Sequence, residues 1–130
     1  MEINTNYLFV YGTLKKTFSN PFLNKLRECI NFYNNGWVYG DLYKIDNYPG
    51  LKLNNNGNKV YGEIYFLKNV KKAIKIIDEY EGVGEGYYQP NEYIKKVIDV
   101  KTSSGIIQCL TYLYNWSIEG KTKINSGIFN

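Results

Sequence analysis

Proton chemistry in this chain has to be done without histidine. None of the 130 residues is histidine, which removes Ser-His-Asp and Cys-His catalysis, histidine-bound metals and the usual proton shuttle near neutral pH. Acid–base work then falls to a carboxylate, lysine, tyrosine or cysteine whose pKa has been moved. Two stretches offer candidates. The string Ile77-Asp78-Glu79-Tyr80-Glu81-Gly82 crowds carboxylates just before a glycine. The apolar run Tyr7-Leu8-Phe9-Val10-Tyr11 passes straight into Gly12-Thr13-Leu14. A β-run that breaks at glycine exposes backbone N–H groups, and glycine permits the geometry that aims several of them at one point. Such a nest holds a carboxylate without any cationic side chain.

Composition narrows the partners. The chain is 44% hydrophobic and 22% charged, ordinary for a globular protein, and its length reads as one domain over residues 1–130. Fourteen tyrosines favour strands and tyrosine-lined cavities over a helical bundle. The net charge of +4 is mild, the lysines are scattered, and the one arginine is Arg27. Arginine usually leads in phosphate and base recognition, so nucleic acid is not expected as a partner. No run reaches the ~18 apolar residues needed to span a bilayer, and Met1–Asn6 lacks the regions of a signal peptide, so a cytoplasmic protein is expected. Cys29 and Cys109 lie far apart in strand-like contexts. They read as buried free thiols, with a disulfide left open, and no arrangement points to zinc.

The elements that must position these residues are mostly strands. Asn34-Asn35-Gly36 is read as a turn separating Cys29–Tyr33 from Trp37–Ile45, and Asn54–Gly57 as a hairpin turn joining Gly50–Leu53 to Lys59–Phe66. In Lys59–Phe66, Val60, Gly62, Ile64 and Phe66 share one face, and Tyr61, Glu63 and Tyr65 the other. Ser103-Ser104-Gly105 links Glu92–Lys101 to Ile106–Tyr114. Pro21–Arg27 reads as a short helix. Asn69–Tyr80 is a longer one, capped by Asn69, ended by Gly82 and striped with Val70, Ala73, Ile74, Ile77 and Tyr80. The order strand–helix–strand–strand–helix–strand–strand predicts an α+β fold, a small mixed β-barrel of five to seven strands flanked by two or so helices.

The charges of the longer helix oppose its dipole. Lys71 and Lys72 sit near the positive end, while Asp78, Glu79 and Glu81 crowd the negative end. Each misplaced charge costs about 0.3–1 kcal/mol when exposed. Exposed side chains tolerate that; alternatively, one carboxylate there needs a raised pKa. The dipole, two neighbouring anions and partial burial all push Glu81 that way.

The chain resembles the gamma-glutamylcyclotransferase-like proteins, particularly the branch with gamma-glutamylamine cyclotransferase and the AIG2-like proteins. The resemblance rests on Phe9–Leu14, Gly40–Tyr43 with Tyr48-Pro49, Val60–Tyr65, Ile77–Gly82 and Ser126-Gly127. It implies a barrel whose cavity holds a small gamma-glutamyl compound, and an enzyme that releases 5-oxoproline and a free amine or amino acid. It further implies substrate binding by the loop Tyr11, Gly12, Thr13 and Leu14, chiefly through backbone amides. Glu81 is the implied catalytic acid/base, and no metal or organic cofactor is implied. A monomer or weak dimer is expected.

Two segments depart from the family pattern. Relatives carry an arginine in a tyrosine-x-arginine string, where this chain has Tyr93-Ile94-Lys95-Lys96. Val83–Pro90 is long and glycine-rich and reads as a flexible flap bordering the cavity. Tyr11, Tyr43, Tyr61, Tyr112 and Tyr114 are candidates to line the cavity, each set against an ordinary core or surface role. Two alternatives to the leading function stand: an acyl-exchange or deprotecting enzyme of the same family, and a non-catalytic member that only binds a small molecule.

Overall fold

A computed structural model describes residues 3–12, 21 and 23–129. The strands are β1 (Tyr7–Val10), β2 (Ile30–Lys44), β3 (Pro49–Leu53), β4 (Asn58–Leu67), β5 (Tyr93–Thr102), β6 (Gly105–Tyr114) and β7 (Thr122–Lys123). The helices are α1 (Leu23–Leu26), followed by a 3-10 turn over Arg27–Cys29, and α2 (Val70–Glu81). Strands β2, β4, β1, β6 and β5 pair in that order, and the single β2–β5 pair Trp37–Lys101 closes the barrel. The barrel is mixed because β1 runs parallel to β6 at Leu8–Leu110 and antiparallel to β4. The expected α+β barrel with flanking helices is what forms. Among the described residues no helix is long and apolar enough to cross a membrane.

Alternation along the strands builds two cores. Phe9, Tyr11, Val38, Leu42, Val60, Ile64, Cys109 and Leu113 fill the barrel interior. The intervening residues of β1 and β6, Leu8, Val10, Leu110, Tyr112 and Tyr114, point outward and pack with Ala73 and Ile77 of α2. Period-two strands thus bury both faces, one against the barrel axis and one under a helix. The alternation read in β4 holds for Val60, Gly62 and Ile64, but Phe66 is 36% exposed while Tyr65 and Leu67 are buried in the helix-side core.

Three expectations need correction. Asn34-Asn35-Gly36 is not a turn: β2 runs unbroken for 15 residues and pairs with β4, slipping register between Phe32 and Asn34. A β-bulge absorbs the extra residue. Gly36 is required there because a Cβ would lie 2.8 Å from Val100 and 3.0 Å from Ile64. Cys29 belongs to the 3-10 turn rather than to a strand. The turn at Asn54–Gly57 exists, but β3 and β4 do not pair with each other; each pairs with β2, and both registers meet at Gly40. The turn crosses the backbone of Gly40, whose carbonyl oxygen would be 2.5 Å from a Cβ on Gly57. An Asn-Gly signal reports local chain reversal, not which strands then pair. The Ser103-Ser104 hairpin forms as read, with Thr102 opposite Gly105.

Candidate functional site

A cavity opens between the end of β1, the β2–β3 turn and the C-terminal end of α2. Its volume is about 450 Å³, and its walls include Tyr11, Gly12, Tyr48, Pro49, Tyr80, Glu81, Glu92, Tyr93 and Tyr112. The lining draws on both faces of β1 and its continuation, the outward-facing Leu8 and Val10 and the inward-facing Phe9 and Tyr11.

Helix α2 delivers Glu81 to this space. Asn69 Oδ1 accepts from the Lys72 amide at 3.2 Å and starts the helix. Gly82, in the left-handed region at φ 67°, ends it, with the Val83 amide donating to the Asp78 carbonyl at 2.9 Å. Glu81 is thereby the last helical residue. Part of its surface stays accessible, but its carboxyl group is closely surrounded. Burial, and then the negative charge of Glu92, raise its pKa from 4.5 to about 7.

The neighbouring anions named from the sequence are accounted for differently. Glu79 is exposed. Asp78 is neutralised: Lys95 Nζ lies 2.9 Å from its Oδ2, and the Tyr112 hydroxyl donates to its Oδ1 at 2.7 Å. The lysine of the Tyr-x-Lys string therefore pairs with α2 one turn before Glu81. The anion that does bear on Glu81 is Glu92, just before β5, which the sequence reading did not single out. Its Oε2 accepts from the Tyr48 hydroxyl at 2.5 Å. The only sequence signal for it was position: a carboxylate next to Tyr93, the first residue of a strand.

The loop after β1 is partly described. Tyr11 and Gly12 line the cavity; Thr13 and Leu14 lie outside the described residues. Gly12 is not in the left-handed region. Its need for glycine comes from close approach, because a Cβ would stand 2.7 Å from Pro49 Cγ. That corrects the expectation that backbone freedom explains this glycine. The Tyr11 hydroxyl donates to the Tyr112 carbonyl, and the Leu51 amide donates to the Tyr11 oxygen at 3.4 Å, pinning β1's end to β6 and β3.

Of the five tyrosines proposed as lining, Tyr11 and Tyr112 reach the cavity; Tyr43, Tyr61 and Tyr114 do not, and Tyr48, Tyr80 and Tyr93 take their place. Burial pushes the Tyr11, Tyr48, Tyr93 and Tyr112 phenols further up from their ordinary range. They remain neutral hydrogen-bonding groups, which leaves Glu81 as the cavity group placed to exchange a proton near pH 7.

Val83–Pro90 is a tied loop rather than a loose flap. The Asn91 side chain accepts from the Gly84 amide at 2.9 Å and donates to the Gly84 carbonyl at 3.1 Å, while Gln89 Nε2 donates to that carbonyl at 2.8 Å. Trp116 Nε1 donates to the Pro90 carbonyl at 2.8 Å. None of residues 83–90 is among those lining the cavity; the wall resumes beyond them, at Glu92 and Tyr93.

Comparison with known proteins shows the family and the fold. The family model described as "Gamma-glutamyl cyclotransferase, AIG2-like" matches residues 8–130. YkqA of Bacillus subtilis (strain 168), provisionally named a gamma-glutamylcyclotransferase, is 32% identical over 122 residues, covering 92% of this chain and 39% of YkqA. The crystal structure of YkqA aligns with a TM-score of 0.70 at 28% identity, over 95% of this chain and 39% of that one. The present chain thus spans about two-fifths of that relative's length. An AIG2-like protein from Mus musculus aligns with a TM-score of 0.68 at 22% identity, over 88% of this chain and 80% of that one. At that identity the mouse protein shares the fold.

Proposed function

The chain belongs to the gamma-glutamyl cyclotransferase, AIG2-like family, and from that premise we propose that it cleaves gamma-glutamyl amines or amino acids, releasing 5-oxoproline. The observation that carries this reading is one carboxyl group, Glu81, on a cavity wall with its pKa raised to about 7. In the proposed reaction the substrate's alpha-ammonium gives a proton to the Glu81 carboxylate. The freed amine attacks the gamma-carbonyl carbon of the same molecule and closes a five-membered ring. As the tetrahedral intermediate collapses, the carbon–nitrogen bond to the leaving amine breaks and Glu81 returns the proton to that nitrogen; the second proton of the attacking nitrogen passes by way of the Glu81 carboxylate to the departed amine, leaving a neutral lactam and an ammonium.

A pKa near neutrality suits both halves of this cycle, since the group must be basic enough to take the proton and acidic enough to give it back. The attack is intramolecular, so holding the substrate in a reactive conformation supplies much of the acceleration. The loop from Tyr11 to Leu14 is assigned to the glutamyl end, where amides at Gly12, Thr13 and Leu14 would meet the alpha-carboxylate or the developing oxyanion. The reaction consumes no cofactor, and the whole chain, residues 1–130, is proposed to act as one domain.

The test is 5-oxoproline release from a panel of gamma-glutamyl amines, gamma-glutamyl amino acids and glutathione, with Glu81→Gln beside the wild type. Product that is lost in the variant supports the reaction and the role of Glu81 together. Near-full turnover by the variant removes Glu81 from the mechanism. No product from folded wild-type protein overturns the cyclotransferase reading in favour of binding alone.

A further inference from the structure

The proposed chemistry uses the acidic end of α2 and leaves its lysines without a role. Lys71, Lys72 and Lys75 stand exposed on that helix, and Lys68, just before it, is exposed too. The Lys68 amide donates to the Cys29 carbonyl at 2.7 Å, which sets this lysine beside the 3-10 turn. That turn carries exposed Arg27, and Lys25 of α1 is exposed as well. The exposed anions on the same flank are Glu28 and Glu79. Among the described residues, the one ion pair these cations make is Lys72 with Glu28, at 3.9 Å and with both side chains exposed. So open a pair contributes little, and most of the positive charge is uncompensated.

Apolar surface adjoins the charge. Tyr33 is the extra residue of the β2 bulge, opposite no residue of β4. It is 49% exposed, and its ring packs on Tyr7, which packs in turn on Phe66, itself 36% exposed. Phe66 stands two residues before Lys68, so rings and lysines form one surface. The ring planes meet at 60° and 67°, which makes an apolar knob rather than parallel faces for stacked bases. Lysine carries all but one of the charges, whereas arginine leads in base recognition. Lysines around a knob of tyrosine and phenylalanine suit an anionic lipid surface: the charges attract headgroups and the rings enter the interface.

We propose that this flank, with Lys68, Lys71 and Lys72 beside Tyr33 and Phe66, docks the protein peripherally on an anionic phospholipid bilayer. Such docking needs no spanning segment and is independent of the reaction assigned to the cavity. The length of α2 separates Lys71 from Glu81 by roughly 15 Å, so substitutions on the flank leave the cavity wall untouched.

The test is co-sedimentation with vesicles of phosphatidylcholine alone and of phosphatidylcholine with one-third phosphatidylserine, at low and at physiological salt. Wild type is expected to bind the anionic vesicles at least roughly tenfold more strongly than the neutral ones, and less as salt rises. The triple variant Lys68→Gln, Lys71→Gln, Lys72→Gln is expected to lose roughly a hundredfold in affinity. Tyr33→Ser is expected to weaken binding roughly fivefold without changing its salt dependence, because it removes a ring and no charge. All four side chains are exposed, so urea midpoints close to that of the wild type are expected. A wild type indifferent to phosphatidylserine, a folded triple variant that still binds, or a Tyr33→Ser variant indistinguishable from wild type overturns the proposal. Binding of single-stranded RNA through the same lysines at physiological salt, with no vesicle binding, also overturns it and assigns the surface to nucleic acid.

Discussion

Glu81, with a pKa raised from 4.5 to about 7, sets both a pH–rate profile and a stability profile. As the base it must be ionised in the free enzyme, so kcat/KM is expected to fall about tenfold per pH unit below neutrality. Glu81→Gln is expected to cost roughly 10²–10⁴-fold in turnover, the usual range for losing a general acid/base, and 5-oxoproline release measures it. The stability consequence has the opposite sign. Because the folded pKa lies above the unfolded one, the folded state binds more protons between pH 4.5 and about 7. Stability therefore declines as pH rises through that window. Glu81→Gln removes the buried charge, so at pH 8 the variant should be more stable than wild type, by up to about 3 kcal/mol. The difference should fade towards pH 5. Urea unfolding at the two pH values checks it, and equal stabilities at pH 8 would contradict a desolvated Glu81.

Helix α2 sets where that carboxyl group sits, through its ends and through one ion pair. Gly82 adopts φ 67° at the helix terminus. Gly82→Ala is expected to cost about 1–2 kcal/mol, because a Cβ in the left-handed region crowds the backbone. Urea midpoints measure the loss, and turnover should fall with it because Glu81 is the adjacent residue. The Lys95–Asp78 pair, at 2.9 Å, ties β5 to the same turn, and its side chains are 21% and 24% exposed. Lys95→Met would leave the Asp78 charge with the Tyr112 hydroxyl alone, at an expected cost of about 1 kcal/mol after allowing for solvent screening. Lys95→Arg, which keeps the charge, should restore both stability and rate; failure of that rescue would dismiss the pair as a positioning device.

At the scale of the whole molecule, two cores share the same strands, and each encloses one thiol. Cys29 packs under α2 and Cys109 inside the barrel, both buried and unpaired. That settles the question of a disulfide, which spacing had left open. Burial pushes the Cys109 thiol up to about 12. Native protein is therefore expected to resist an aromatic disulfide reagent at pH 8, with Cys109 reacting only at the rate of global opening. Rapid labelling of Cys109 in folded protein would argue against a sealed barrel. The interior is as sensitive to shape as to polarity: Ile64 is fully buried among these side chains, and Ile64→Ala should cost about 2–5 kcal/mol in urea unfolding.

Local chemistry made much of this legible beforehand. The Asn69 cap, the apolar stripe and Gly82 mark out α2 because a helix is governed by neighbours three and four residues away. Glu81 stands out because its charge is misplaced for that helix's dipole. The Ser103-Ser104 hairpin is likewise a local pattern. Strand partnership is not. Asn-Gly strings at residues 35–36 and 56–57 look alike in sequence, yet one lies within a bulged strand and the other crosses over Gly40. Pairing depends on which distant edges become available, and that emerges only when the barrel closes. The same reason hid Glu92 and Tyr48. They come from segments 44 residues apart, and only the assembled β2–β3 turn and β5 bring hydroxyl and carboxylate to 2.5 Å. Residue types and local spacing determined the candidate acid/base and its helix. Tertiary closure decided where the cavity lies, which tyrosines line it and which second charge acts on Glu81, because burial and long-range charge belong to the folded chain.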